Sequence, residues 1–211
     1  MMAENTVVFL VDDDASVRKS FSRLLRSNGL HVESFASAQD FLNREPFDGN
    51  GCLILDIRMP GLSGTDLFKE LRKAEYSLPV VFVTGHGDIT TGVQAMKEGA
   101  IDFLTKPIDE EQLLNAVREA VARDTVEHEK YVDVTHIRQR LRTLTDREHE
   151  VLTYVITGML NKQIAYALGI SVKTVKVHRG RVTEKLGVHS VAELVRLAEK
   201  AGIRSADVST S

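Results

Sequence analysis

Five short apolar runs, each followed by a stretch of helical spacing, fill the first part of the chain and then stop. The runs are Val7–Val11, His31–Phe35, Cys52–Leu55, Val80–Val83 and Asp102–Leu104, all rich in β-formers. Between and after them lie helical patterns at Ser16–Ser27, Ala38–Arg44, Thr65–Lys73, Ile89–Glu98 and Glu110–Val121. In the first, Val17, Phe21, Leu24 and Leu25 form one stripe. Gly29 and Gly99 are placed as C′ residues that end helices. Strands separated by helices must pair in parallel, so the pattern predicts a doubly wound α/β domain with a five-stranded parallel sheet. In such a sheet the reactive groups belong at the carboxyl ends of the strands.

Beyond Val121 the strand pattern ends. Ala122–Val134 is charged, with little periodicity, and reads as a helix tail running into a linker. Helical patterns follow at Thr135–Arg142, Asp146–Thr157, Asn161–Leu168, Lys173–Leu186 and Val191–Ala201, a small all-α domain. Thr145 and Ser171 are natural N-caps, and Thr145 to Glu148 has capping-box spacing. The tail Ser205–Ser211 reads as disordered. The expected organisation is a first domain over 5–122, a linker over 123–140 and a second domain over 141–204.

Charge divides the same way. Residues 1–122 carry 12 Lys/Arg against 19 Asp/Glu, a net −7, while the remainder carries 15 against 11, a net +4. An acidic half joined to a basic half suits a signalling domain tied to a polyanion-binding one. A single cysteine, Cys52, excludes an internal disulfide and points to a reducing compartment. The seven histidines have no metal-ligand spacing. Met1–Thr6 holds an acid and no base, unlike a secretory signal, and no apolar run has the length of a membrane span. A cytoplasmic protein with no membrane partner is expected.

Strand one ends in Asp12, Asp13 and Asp14, and strand three ends in Asp56. Neighbouring strand ends would bring these carboxylates together, and a hard divalent cation such as Mg²⁺ relieves their repulsion. Strand four ends in Thr84, a hydroxyl donor, and strand five runs into Lys106, a cation. Metal, hydroxyl and ammonium around one carboxylate suit phosphoryl transfer with Asp56 as the attacking group. Taken singly the residues say less: Asp14 is the natural N-cap of the first helix, and the acidic run would pass for a solvated turn.

In the second domain, Asn161–Leu168 and Lys173–Leu186 flank a turn at Gly169–Ser171, the outline of a helix-turn-helix. Ile164, Ala165 and Leu168 face inward from the first helix, and Val175, Val182 and Leu186 from the second. Lys173, Val177 and Gly180 lie opposite, flanked by Lys176 and Arg181. Cations with a methyl group and a bare backbone suit the major groove, although a solvated basic face would have the same composition. Lys173, Lys176 and Val177 are placed as readers of base edges, and Arg179 and Arg181 as phosphate contacts.

Leu10–Asp14, Asp56–Gly61, Thr84–Asp88 and Lys106–Pro107 resemble the receiver domain of two-component response regulators. Leu144–Glu148, Asn161–Ala165, Thr174–His178 and Lys185–Leu186 resemble the LuxR-type helix-turn-helix of the NarL/FixJ regulators, and the His-Gly-Asp stretch of the receiver resembles the FixJ branch. The resemblance implies that Asp56 accepts a phosphoryl group from a sensor histidine kinase. It also implies that Asp12, Asp13, Asp56 and the carbonyl of Arg58 hold Mg²⁺, with Mn²⁺ as a substitute, and that Thr84 and Lys106 bind the phosphoryl oxygens. Phe103 takes the position of an aromatic switch acting with Thr84, and Lys106–Pro107 that of a cis bond. Asn161 to Gly180 takes the place of the DNA-binding motif, with Lys173, Thr174, Lys176, Val177, Arg179, Gly180 and Arg181 as its contact residues. Val191–Val195 would belong to the helix used for DNA-bound dimer contacts.

The function expected is a phosphorylation-dependent regulator, an activator, of promoter DNA. Its other partners would be a second copy of the chain when phosphorylated and RNA polymerase. Two further readings use the same residues. An aspartate-based phosphatase would use the acidic pocket, but Arg58 stands where such an enzyme needs a second acid, so no enzyme is expected. A DNA-binding protein with a vestigial receiver would not need the full set of Asp13, Asp56, Thr84 and Lys106.

Overall fold

The structure is a computed structural model that describes residues 6–74, 78–85 and 89–206. It divides into two compact units, 1–129 and 130–211. In the first, β1 (Thr6–Val11), β2 (His31–Phe35), β3 (Asn50–Asp56), β4 (Val80–Thr84) and β5 (Asp102–Thr105) form one parallel sheet in the order β2-β1-β3-β4-β5. The helices α1 (Ala15–Ser27), α2 (Ala38–Leu42), α3 (Gly64–Leu71) and α4 (Ile89–Lys97) connect the strands. The two-residue period of the strands sends alternate side chains to opposite faces. Val7, Phe9 and Val11 join Phe41, Leu67 and Ala95 in one core. Val8, Leu10 and Cys52 join Leu25, Leu113 and Val117 in the other. Each fully buried large side chain contributes roughly 1.5–3 kcal/mol, so both faces of the sheet are covered.

The linker expectation is corrected. Glu110–Leu141 is one 32-residue helix, α5, and includes the segment read as a linker. No glycine or proline stands between Pro107 and Gly158, and Ala, Arg, Glu and Lys are good helix formers. Helix formation here needs no long apolar stripe. Asp124 anchors this stretch: its carboxylate, fully buried, accepts the N–H of Gly51 at the start of β3 at 2.7 Å.

The second unit packs Ile137 of α5 with α6 (Asp146–Val155), α7 (Asn161–Leu168), α8 (Val172–Leu186) and α9 (Val191–Ala201). Its core holds Val151, Leu152, Ile164, Val175, Val182, Leu186 and Leu194. Thr145 forms the expected capping box with Glu148. Ser171 caps α8 by accepting the N–H of Thr174. Ser205 and Ala206 extend the ordered chain further than expected, and the N–H of Ala206 bonds to the Thr153 carbonyl at 3.2 Å. The rest of that tail lies outside the described residues. Among the described residues no helix is long and apolar enough to cross a membrane.

Candidate functional site

Register assembles the first site. Val11 of β1 pairs with Leu55 of β3, so the next residues, Asp12 and Asp56, lie side by side at the carboxyl edge. Thr84 ends β4 opposite Thr105, and Lys106 follows at once, its N–H on the Thr84 carbonyl at 2.7 Å. The Lys106–Pro107 bond is cis, as expected. Lys106 reaches back across the edge, and its Nζ lies 2.6 Å from Asp12 Oδ2 and 2.9 Å from Asp56 Oδ1. The other Asp56 oxygen accepts the N–H of Arg58 at 2.7 Å. The loop after Asp56 turns back tightly: a Cβ on Gly64 would lie 2.0 Å from the Asp56 carbonyl oxygen, so only glycine fits there.

Two carboxylates share one ammonium. Burial raises the Asp56 carboxyl above its usual range, the charge of Asp12 adds to the rise, and the bond to Lys106 only partly offsets it. Burial acts to lower the Lys106 pKa, but hydrogen bonds and attraction from Asp12 and Asp56 together outweigh it, and the net shift is upward. Two carboxylates over one ammonium thus keep an excess negative charge between them. Hard carboxylate oxygens with surplus charge and a backbone carbonyl two residues on are the donor chemistry Mg²⁺ takes.

Of the strand-end carboxylates, Lys106 brings Asp12 and Asp56 together, Asp13 stands at the exposed rim, and Asp14 does not join them. Asp12 is buried, while Asp13 and Asp14 are exposed. Among the described residues no three or more acid, histidine or cysteine side chains gather at one point. Consecutive residues leaving a strand alternate in direction, so Asp12 turns in and Asp13 turns out to the rim. Asp14 is the N-cap of α1, accepting the N–H groups of Ser16 and Val17, and the hydrogen bonds from Ser16 lower its pKa. Arg58 is exposed beside Asp56, and the Thr84 side chain is buried. Phe103 is half-buried, its ring against Gly92 of α4, where a Cβ would come within 3.1 Å of the ring. His86–Asp88 lie outside the described residues.

The second site is the exposed face of α8. Gly169, with φ of 64°, ends α7 and lets the chain turn into the Ser171 cap. Lys173, Lys176, Val177, Gly180 and Arg181 are exposed, while Val175, Val182 and Leu186 are buried, as the helical spacing predicts. Gly180 faces open space. Thr174 is half-buried, and its hydroxyl lies 2.8 Å from that of Ser171. Arg179 departs from expectation: it is half-buried, and its guanidinium donates to the side-chain oxygen of Asn161 at the start of α7. At ~100° per residue, 179 falls next to the buried stripe, so the arginine ties the two helices together before any ligand arrives.

Sequence reasoning missed the roles of three residues. Arg18 donates to the Asp12 carbonyl at 2.7 Å. Its signal was a basic residue just over one turn into α1, after an acidic N-terminus. Asp124 gave none, being one acid in a charged stretch. Lys185, which bonds the buried Glu148 at 2.6 Å, lies 37 residues away from it, beyond any local pattern.

Residues 8–118 match the response regulator receiver domain, and residues 142–198 match the luxR family of bacterial regulatory proteins. The chain is 45% identical over 197 residues to nodulation protein W of Bradyrhizobium diazoefficiens, covering 93% of this chain and 87% of that one. It is 42% identical over 210 residues to the transcriptional regulatory protein FixJ of Azorhizobium caulinodans, covering 99% of each. Among solved structures, the response regulator StyR is similar over 93% of this chain and 99% of its own, with 45% identity and a TM-score of 0.80. A receiver joined to a LuxR-type domain implies a sensor kinase and DNA as partners. The chain belongs to the FixJ-like response regulators, two-component transcriptional regulators that join a receiver domain to a LuxR-type DNA-binding domain.

Proposed function

We propose that this chain is a phosphorylation-switched activator of transcription, with Asp56 as its phosphoacceptor. The observation that carries the reading is a buried Asp56 carboxylate beside Asp12 whose two oxygens are held by Lys106 and the Arg58 N–H. An oxygen of that carboxylate attacks the phosphorus of a kinase phosphohistidine. The phosphorus–nitrogen bond breaks, the imidazole leaves with its electron pair, and an acyl phosphate forms on Asp56. Lys106 holds a proton-bearing ammonium against the developing charge, and Thr84 supplies a hydroxyl from the end of β4. Asp12 keeps Lys106 in place. Asp12, Asp13, Asp56 and the Arg58 carbonyl would hold Mg²⁺, which when bound supplies charge neutralisation to the phosphoryl oxygens.

The product then shifts the receiver between two states, with Phe103 against Gly92 as the element that senses it. The phosphorylated chain dimerises, and Lys173, Lys176 and Val177 read promoter DNA in the major groove, where the dimer meets RNA polymerase. Arg181 contacts phosphate, and Gly180 lets the backbone approach. The protein acts in the cytoplasm as a regulator and turns over no small substrate.

The test is labelling by a small phosphodonor such as acetyl phosphate. The chain should take an acid-labile label that needs Mg²⁺, and Asp56→Asn or a chelator should abolish it. Full labelling of Asp56→Asn would remove the assignment.

A further inference from the structure

We propose that Arg18 is a positioning residue of the acidic pocket, holding the Asp12–Asp13 peptide so that the pocket's oxygens are set for a divalent cation. This rests on the phosphoacceptor reading above. Arg18 belongs to the second turn of α1, where its own N–H bonds to the Asp14 carbonyl at 3.0 Å. Its guanidinium Nη1 turns back and donates to the Asp12 carbonyl at 2.7 Å, a charge-assisted bond. That carbonyl is part of the peptide plane leading into Asp13. Fixing it sets both the inward turn of Asp12 and the outward start of Asp13.

Asp12 is held from four directions, and its own N–H donates to the Phe35 carbonyl of β2 at 3.3 Å. Lys106 grips Oδ2 at 2.6 Å, and the N–H of Asp14 bonds Oδ1 at 2.9 Å. Lys106 and Asp14 grip the carboxylate and Phe35 the N–H, whereas Arg18 grips the carbonyl that leads into Asp13. Lys106 is also shared with Asp56, so any rearrangement of the ammonium loosens the Asp12 side chain. The Arg18 bond does not depend on that ammonium. It ties the acidic loop to α1, whose N-cap is the third acid of the same run, Asp14. Helix and loop therefore form one closed unit: Asp14 caps the helix, and the helix returns Arg18 to Asp12.

A guanidinium beside three consecutive acids has a second effect, and its sign is opposite. As a bare charge it repels a divalent cation, so its removal would tighten Mg²⁺ binding. As a positioning group its removal would loosen Mg²⁺ binding, as the loss of groups that orient metal ligands typically does by about 10–100-fold. The direction of the change separates the two roles.

Calorimetric titration of the full chain with Mg²⁺, without phosphodonor, reads this directly. Arg18→Ala should weaken Mg²⁺ by about tenfold or more, and Arg18→Lys should recover most of the loss. The Mg²⁺ concentration for half-maximal labelling by acetyl phosphate should rise by the same factor, with the rate at saturating Mg²⁺ little changed. If Arg18→Ala proves unfolded by circular dichroism, Arg18→Gln carries the test, since it removes the charge and keeps a shorter donor. Unchanged or tighter Mg²⁺ binding in the folded variant would overturn the inference. A wild-type chain that binds Mg²⁺ but takes no label would sink the phosphoacceptor reading instead, and the calorimetric comparison would still decide Arg18.

Discussion

At the scale of single residues, the molecule places two carboxylates in opposite situations. Asp56 is buried and shares one ammonium with Asp12, and its carboxyl is raised above the usual range by burial. A raised folded pKa means stability that is present below about pH 4 and lost as pH climbs through the folded value. At neutral pH the ionised Asp56 therefore costs the receiver stability. Asp56→Asn should raise the melting temperature at pH 7 by about 2–5 °C, and the gain should vanish below about pH 4. Thermal unfolding at the two pH values checks it, and an equal or lower melting temperature at pH 7 would contradict it. Glu148 is the reverse case. The hydrogen bond from Lys185, with the Thr145 N–H, brings its pKa down to about 2 from an ordinary 4.5. Its contribution is complete above about pH 4.5 and fades as the pH falls toward 2. Lys185 is a third exposed, so solvent screens the pair, and Glu148→Gln should cost the DNA-binding unit about 1–2 kcal/mol at pH 7. Urea unfolding of variant and wild type should converge in acid. A gap that persists near pH 2 would assign the loss to packing.

At the scale of elements, α5 carries the largest difference between expectation and structure. The strands and most caps were legible because each rests on a local pattern: β-branched runs at Val80–Val83, an N-cap with a glutamate three residues on at Thr145. The helix past Val121 rests on propensity and on distant contacts, among them the bond from Gly51 to Asp124 across 73 residues and the packing of Ile137 in the second core, and these leave no periodic stripe. Asp124→Ala should lower receiver stability by about 1–3 kcal/mol, because the Gly51 N–H loses a buried acceptor, and Asp124→Asn should cost less by keeping one. Denaturant unfolding of the two variants reads the difference, and equal losses would show that the bond is not what Asp124 provides. The pocket was legible in the same measure. Which strand ends carry Asp12, Asp56, Thr84 and Lys106 follows from the pattern of runs. The strand alternation that turns Asp12 inward and Asp13 outward was legible too, but the bonds from Arg18 and Lys106 that hold Asp12 there join residues no spacing rule pairs. On α8 the buried stripe was legible from its period, but the bond from Arg179 to Asn161 needed the fold of α7 against it.

At the scale of the whole molecule, an acidic receiver with an incompletely neutralised aspartate shares a chain with a basic helix-turn-helix. Neither half explains the other unless the state of Asp56 changes what α8 does. A regulator of this kind shifts an equilibrium between two forms, and the phosphoryl group acts through the difference in its interactions with them. On the proposed function, the exposed α8 face of Lys173, Lys176 and Arg181 should bind DNA with a strong salt dependence whatever the state of the receiver. Phosphorylation is then visible as a gain in affinity for a specific duplex at one fixed salt concentration. The direct measurement titrates a duplex selected from genomic fragments with the full chain, in Mg²⁺, with and without acetyl phosphate, for wild type and Asp56→Asn. Wild type should gain about tenfold or more in affinity on adding the phosphodonor, as couplings of 1–3 kcal/mol give, and Asp56→Asn should gain nothing. Equal affinity of wild type in both conditions, with Asp56 shown to be labelled, would contradict the link between the two halves.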